Sequence, residues 1–158
     1  ARGELPLTDR VTPAQLMQAL QAAAAAHIQD VQVRWQCDSH LGELLCNRDT
    51  LVGALLNLIE NATQASGPGA RLKVHLYNRE QTLRLCVSDS GSGIDPVVLE
   101  RLGEPFFTTK VTGTGLGLTV VKAVARAHQG ELLLRSRVGR GTCAQVILPL
   151  FSAVQGAE

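Results

Sequence analysis

Four short blocks hold residue types and spacings that could do chemistry. In Asn57-Leu58-Ile59-Glu60-Asn61-Ala62, two amides stand one helical turn apart. Helix propensity does not explain them, because Asn favours caps and turns over helix interiors. The carbonyl oxygen of Asn61 is a hard donor suited to Mg²⁺, which keeps several waters and takes further oxygens from a phosphate substrate. A solvated polar face would use the same residues. Asp89 opens Ser90-Gly91-Ser92-Gly93. Its carboxylate can accept a hydrogen bond from an exocyclic amine, and the glycines let a flat base approach the backbone; taken alone, the segment reads first as a tight turn. Glu104-Pro105-Phe106-Phe107-Thr108-Thr109-Lys110 precedes Gly113-Thr114-Gly115-Leu116-Gly117. That arrangement sets two hydroxyls, a cation and a glycine run before a helix. Backbone N–H groups at a helix N-terminus attract anions, and Lys110 adds a point charge for phosphate. Phe106 and Phe107 read as apolar anchors of this loop.

Rival motifs fail on context. A phosphate loop of the G-x-x-x-x-G-K-[ST] type is absent. Gly113 to Leu118 approaches a dinucleotide fingerprint, but Phe-Phe-Thr-Thr-Lys is a poor buried strand. No acidic residue ends a following strand either, since Glu131 begins one. There is no G-x-S-x-G elbow, and His27, His40, His75 and His128 sit in no triad setting, so each reads as a surface or helix-end histidine. Cys37, Cys46, Cys86 and Cys143 lack zinc-ligand spacing. Cys86 and Cys143 adjoin apolar runs and read as small buried hydrophobes, reduced as in a cytoplasmic compartment.

The totals restrict the partners. A chain of 158 residues is one domain with short extensions, able to bury a core without staples. Aromatics make up 3%, so that core must be aliphatic. A net charge of +1 argues against duplex DNA or an anionic membrane as a dominant partner. No run approaches the roughly eighteen apolar residues of a membrane span. The start Ala1-Arg2-Gly3, without Met, suggests a fragment of something longer, itself not inserted in a membrane.

These residues need elements to position them. Gly3 to Arg10 reads as loop. Thr12-Pro13-Ala14-Gln15 is a capping box with proline in the first turn, opening a helix to about His27. Val31 to Trp35 alternates as a strand, with Gly42 to Cys46 as a short partner for it. Asn47 or Asp49 caps a helix to Ala65 whose apolar stripe is Leu51, Val52, Leu55, Leu58, Ile59 and Ala62. Strands at Leu72 to Tyr77 and Thr82 to Ser88 form a hairpin. Residues 88 to 117 hold six glycines and two prolines, interrupted by a short helix near Asp95 to Arg101. A helix from Leu116 to His128 buries Leu116, Val120, Val121 and Val124. Strands follow at Glu131 to Arg135 and Thr142 to Leu150, then a frayed tail from Phe151. The expected fold is an α/β (α+β) sandwich, with a mixed, largely antiparallel sheet and helices packed on one face.

In this order, the four blocks resemble the N, G1, F and G2 boxes of the ATP-binding catalytic domain of sensor histidine kinases. That domain belongs to the fold shared with gyrase, Hsp90 and MutL. The resemblance covers about Arg10 to Leu150, and Gly139-Arg140-Gly141-Thr142 matches its closing glycine element. It implies residues 1–10 as linker from a hairpin domain, 11–150 as catalytic domain and 151–158 as tail. Asn61 would coordinate Mg²⁺, with Asn57 one turn earlier; Asp89, Gly91 and Gly93 would take the adenine, with Thr142 near the base. Thr109, Lys110 and the Gly113, Gly115, Leu116 and Gly117 backbone would hold phosphates, and about Asp95 to Thr114 would form a flexible ATP lid. ATPase branches of the fold carry a glutamate at the position of Asn57, and an amide is no general base at neutral pH. The resemblance thus implies a bacterial, cytoplasmic kinase domain rather than a hydrolase. Its partners would be its own histidine-bearing dimerisation hairpin and a response regulator. No histidine here has the phospho-acceptor context. The Phe-Phe-Thr-Thr-Lys box is most similar to the kinases of nitrogen- and flagellum-regulating, σ54-linked pathways. A stand-alone ATPase or chaperone-type module of this fold, or a non-catalytic partner-binding domain, is the alternative.

Overall fold

The computed structural model describes residues 5–28, 30–38, 42–67, 69, 71–91 and 117–151. In chain order these form β1 (Asp9–Val11), α1 (Pro13–Ala24), β2 (Gln32–Cys37), β3 (Leu44–Cys46), α2 (Arg48–Ser66), β4 (Arg71–Arg79), β5 (Thr82–Asp89), α3 (Gly117–Ala127), β6 (Glu131–Arg137) and β7 (Gly141–Pro149). The short helix expected near Asp95 to Arg101, and the lid around it, lie outside the described residues.

Local sequence sets the helix starts. Gln15 N–H donates to Thr12 Oγ1 at 3.1 Å while Thr12 N–H donates to Gln15 Oε1 at 3.0 Å, so the capping box is closed in both directions. At α2 the cap is Asn47 rather than Asp49: its Oδ1 accepts from Thr50 N–H at 3.2 Å.

Five strands form one sheet in the order β2-β4-β5-β7-β6, with β2 parallel to β4 and every other pair antiparallel. Period-2 alternation sends Leu72, Val74 and Leu76 of β4, Leu83, Leu85 and Val87 of β5, and Ala144, Val146 and Leu148 of β7 to one buried face. The three described helices pack there, through Leu16 and Leu20, through Leu51, Leu55, Leu58 and Ile59, and through Val121 and Ala125. Each buried Leu contributes about 1.5–3 kcal/mol, and among the described residues no Phe, Trp or Tyr is in the fully buried core. The sandwich is therefore the mixed, largely antiparallel one expected, with an aliphatic core and helices on one face.

Four details differ from the sequence expectations. β3 pairs with β1, not with β2, in a separate two-stranded sheet; Asp9, inside the segment read as loop, faces Cys46. A three-residue strand is too short to show alternation. Phe151, assigned to the tail, exchanges backbone hydrogen bonds with Glu43 (2.6 and 2.8 Å); residues 152–158 lie outside the described part. Val120 is 46% exposed, whereas Val121, Ala125 and His128 are buried. Steps of four and three residues carry the stripe from Val121 through Ala125 to His128. Cys86 and Cys143 are half-buried on the sheet face opposite the helices. Among the described residues, no helix is long and apolar enough to cross a membrane.

Candidate functional site

Helices α2 and α3 run antiparallel and touch at both ends. At one end the buried ring of His128, just past α3, reaches the start of α2: Asn47 N–H donates to its Nε2 at 3.1 Å. Its Nδ1 lies 2.8 Å from the Val124 carbonyl, which only accepts, so the ring is the Nδ1–H tautomer with Nε2 as acceptor. At the other end the first residue of α3, Gly117, faces Asn61: a Cβ there would lie 3.7 Å from Asn61 Nδ2 and 3.9 Å from Oδ1. Asn57 stands one turn earlier on α2, and both amides are half-buried. Glu60 points elsewhere, placing Oε1 3.3 Å from His27 Nδ1 beyond α1.

Asp89 ends β5 with its carboxylate oriented by backbone. Its Oδ1 accepts from Gly91 N–H at 2.9 Å and from Thr142 N–H at 3.3 Å. Gly91 in turn lies against the end of α2, where an added Cβ would meet the Ala65 carbonyl at 3.1 Å. On the β7 side, Gly141 has φ +108, and a Cβ there would overlap the Asp89 carbonyl oxygen at 2.1 Å. Only glycine fits this approach of two backbones. Ser136 holds the turn from β6: its Oγ donates to the Gly141 carbonyl at 3.1 Å and lies 2.8 Å from Thr142 Oγ1.

The structure thus gathers Asn57, Asn61, Asp89, Gly91, Gly117 and Thr142 around the C-terminal half of α2. Gly93, Thr109, Lys110, Gly113, Gly115 and Leu116 lie outside the described residues. A separate cleft of about 750 Å³, lined by Arg34, Arg71, Lys73, Ser88 and Asp89 among others, touches Asp89 but neither amide. It opens beside β2 and β4, and neither Asn57 nor Asn61 lines it. Among the described residues no group of three His, Cys, Asp or Glu side chains could hold a metal ion. An amide oxygen beside a helix N-terminus is a donor set that fits Mg²⁺ only where phosphate and water complete the shell. Sequence reasoning missed Ser136 and the hydrogen bond between Asn47 N–H and His128. The Val121, Ala125, His128 periodicity is the signal that could have found the histidine.

Residues 46–152 match the family described as histidine kinase-, DNA gyrase B- and HSP90-like ATPase. The chain is 72% identical over 153 residues to the sensor protein kinase FleS of Pseudomonas aeruginosa, covering 97% of this chain and 38% of that protein. It is 35% identical over 125 residues to the sensor histidine kinase ZraS of Escherichia coli, covering 79% and 27%. The chain therefore spans well under half of these curated relatives. Among solved structures, the mycobacterial sensor histidine kinase MprB superposes with a TM-score of 0.80 at 26% identity, covering 92% of this chain and 99% of that one. The catalytic domain of histidine kinase ThkA shares the fold, with a TM-score of 0.79 at 24% identity over 90% and 95% of the two chains. The chain belongs to the histidine kinase-, DNA gyrase B- and HSP90-like ATPase family, and its fold is that of the ATP-binding catalytic domains of sensor histidine kinases.

Proposed function

We propose that residues 11–150 are the phosphate-donor domain of a sensor histidine kinase. The domain binds ATP with Mg²⁺ and presents the γ-phosphate to a histidine on a separate dimerisation hairpin, for relay to a response regulator. Residues 1–8 would lead from that hairpin and 152–158 form the tail, since the pairing of Asp9 with Cys46 and of Phe151 with Glu43 extends the expected domain at both ends. The observation that carries the reading is the convergence of four segments distant in sequence through three contacts: Gly117 against Asn61, Gly91 against the end of α2, and Thr142 on Asp89.

In this reading Asp89 accepts the adenine amino group, with Gly91 and Gly93 giving the base room and Thr142 fixing the carboxylate. Asn61, with Asn57 behind it, faces the phosphates and would hold Mg²⁺, which neutralises phosphate charge when bound. Thr109, Lys110 and the backbone of Gly113, Gly115, Leu116 and Gly117 bind the phosphate oxygens at the N-terminus of α3. Catalysis then rests on positioning and electrostatics.

Among the described residues no carboxylate stands beside Asn61 ready to activate water. Asn57 is an amide, and Glu60 faces His27. ATP should persist until a protein nucleophile arrives, which separates this reading from an ATPase of the same fold. The likeness to FleS and the Phe106-Phe107 box support a flagellar-type parent kinase. The test is incubation of the chain with γ-labelled ATP and the histidine-bearing hairpin of the parent protein. Acid-labile label on the hairpin, with little free phosphate from the chain alone, is expected. Rapid phosphate release without the hairpin, and no labelled hairpin, would overturn the proposal.

A further inference from the structure

The open face of the sheet carries a second set of reactive groups. In the β5–β7 pairing Cys86 faces Gln145 and Ser88 faces Cys143. All four side chains therefore emerge opposite the helices, with the two cysteines as diagonal neighbours. The register sets each thiol beside the other, with Ser88 directly opposite Cys143. Arg135 stands directly across from Cys143 on β6. Behind the pair, Tyr77 Oη lies 4.0 Å from Cys86 Sγ and accepts from Gln145 Nε2 at 2.8 Å. Both sulfurs are half-buried and reduced.

This environment divides the pair into unlike members. The neighbouring Cys86 thiol, with Ser88 and Arg135, holds the Cys143 thiol below its usual range against burial and the Asp89 charge. The same contact, together with burial, pushes Cys86 well up. Thiolates, not thiols, attack oxidants, and a resolving thiol alongside marks a redox-responsive site. The other cysteines differ: Cys46 is fully buried with its thiol pushed up by that burial, and Cys37 lies on the helix-facing side of β2.

We propose that Cys143 and Cys86 form a peroxide-reactive dithiol that closes reversibly to a disulfide across β5 and β7. The Cys143 thiolate attacks one oxygen of a hydroperoxide, breaking the O–O bond, forming a sulfenic acid and releasing hydroxide or alkoxide. Cys86 then attacks the Cys143 sulfur, forming the S–S bond and breaking the S–OH bond; the sulfenic hydroxyl leaves with the Cys86 proton as water. Diagonal strand neighbours start with Cα atoms about 7–8 Å apart, beyond the usual disulfide range, so closure draws the strands together locally. The resulting strained bridge is readily reduced by an added dithiol. Closure also moves Thr142, whose N–H reaches Asp89. A fall in ATP affinity on oxidation rests on the proposed adenine site; the thiol chemistry does not.

The experiment treats the nucleotide-free chain with equimolar hydrogen peroxide, counts thiols under denaturing conditions and maps peptides by mass spectrometry. Expected are the loss of two of the four thiols, a Cys86–Cys143 linked peptide and full recovery with dithiothreitol. Cys143→Ser should slow thiol loss about ten-fold or more, and Cys86→Ser should leave a dimedone-trappable sulfenic acid on Cys143. Oxidation that begins at Cys37 or Cys46, or thiol loss at equal rates with and without Cys143, overturns the proposal. Should either variant misfold, competitive alkylation of the wild type at neutral pH decides: Cys143 must react first, and any other order contradicts it. Bridged protein that binds ATP as before overturns the coupling to Asp89, whereas reduced protein that binds no ATP overturns the adenine site instead.

Discussion

The carboxylate of Asp89 is oriented before any ligand arrives, because Gly91 and Thr142 both donate to its Oδ1. Asp89→Asn keeps an oxygen for those two donors but puts an N–H₂ donor in place of the second carboxylate oxygen. An adenine amino group would then meet a donor. Nucleotide affinity should fall about 10–100-fold, the value of a hydrogen bond to a charged group, with the melting temperature little changed. Gly141→Ala makes the opposite test. Its positive φ alone costs a side chain about 1–3 kcal/mol, and the Cβ would also strike the Asp89 carbonyl, so thermal stability and nucleotide binding should fall together. Asp89 and the glycine turn were both legible in sequence as residue types. Their mutual contact was not, since fifty residues separate them and only the β5–β7 register joins them. Cys86 and Cys143 misled for the same reason: alternation marks two faces of a strand without saying which face the helices cover.

At the scale of elements, α2 and α3 set the distance between the amide face and the anion-attracting end of α3. The Asn47–His128 hydrogen bond pins their far ends, so it fixes the register at which Gly117 meets Asn61. His128→Leu fills the space but leaves the Asn47 N–H unsatisfied, at about 1–3 kcal/mol. Chemical denaturation should report that loss, and ATP binding should weaken as the pair slides. Asn47→Ala removes the cap of α2 and should cost about 1 kcal/mol, with less effect on the nucleotide because the histidine contact is to backbone. Both long helices were legible in sequence, from the caps and from a stripe of aliphatic residues at helical spacing. The face of α3 was misjudged at Val120, because four consecutive apolar or small residues leave the phase of a helix open until a partner chooses it.

At the scale of the molecule, the sandwich separates two faces. The helical face bears the proposed nucleotide site, and the open sheet face bears the dithiol. The order of blocks predicted the sandwich because each block needs a particular element end: a helix interior, a strand end and a helix start. The β1–β3 ribbon escaped prediction, since three-residue strands carry no periodicity. An ATP donor without a general base should turn over ATP very slowly alone, and Asn57→Glu should raise that rate by supplying the missing carboxylate; phosphate release assays compare the two. The central claim is that this pocket binds ATP through Asp89 with Mg²⁺ held beside Asn61. Calorimetric titration of ATP with and without Mg²⁺ into wild type, Asp89→Asn and Asn61→Ala tests it most directly. Weakened binding under both conditions for Asp89→Asn, and loss chiefly of the Mg²⁺-dependent gain for Asn61→Ala, is the predicted result; wild-type isotherms from both variants would contradict the account.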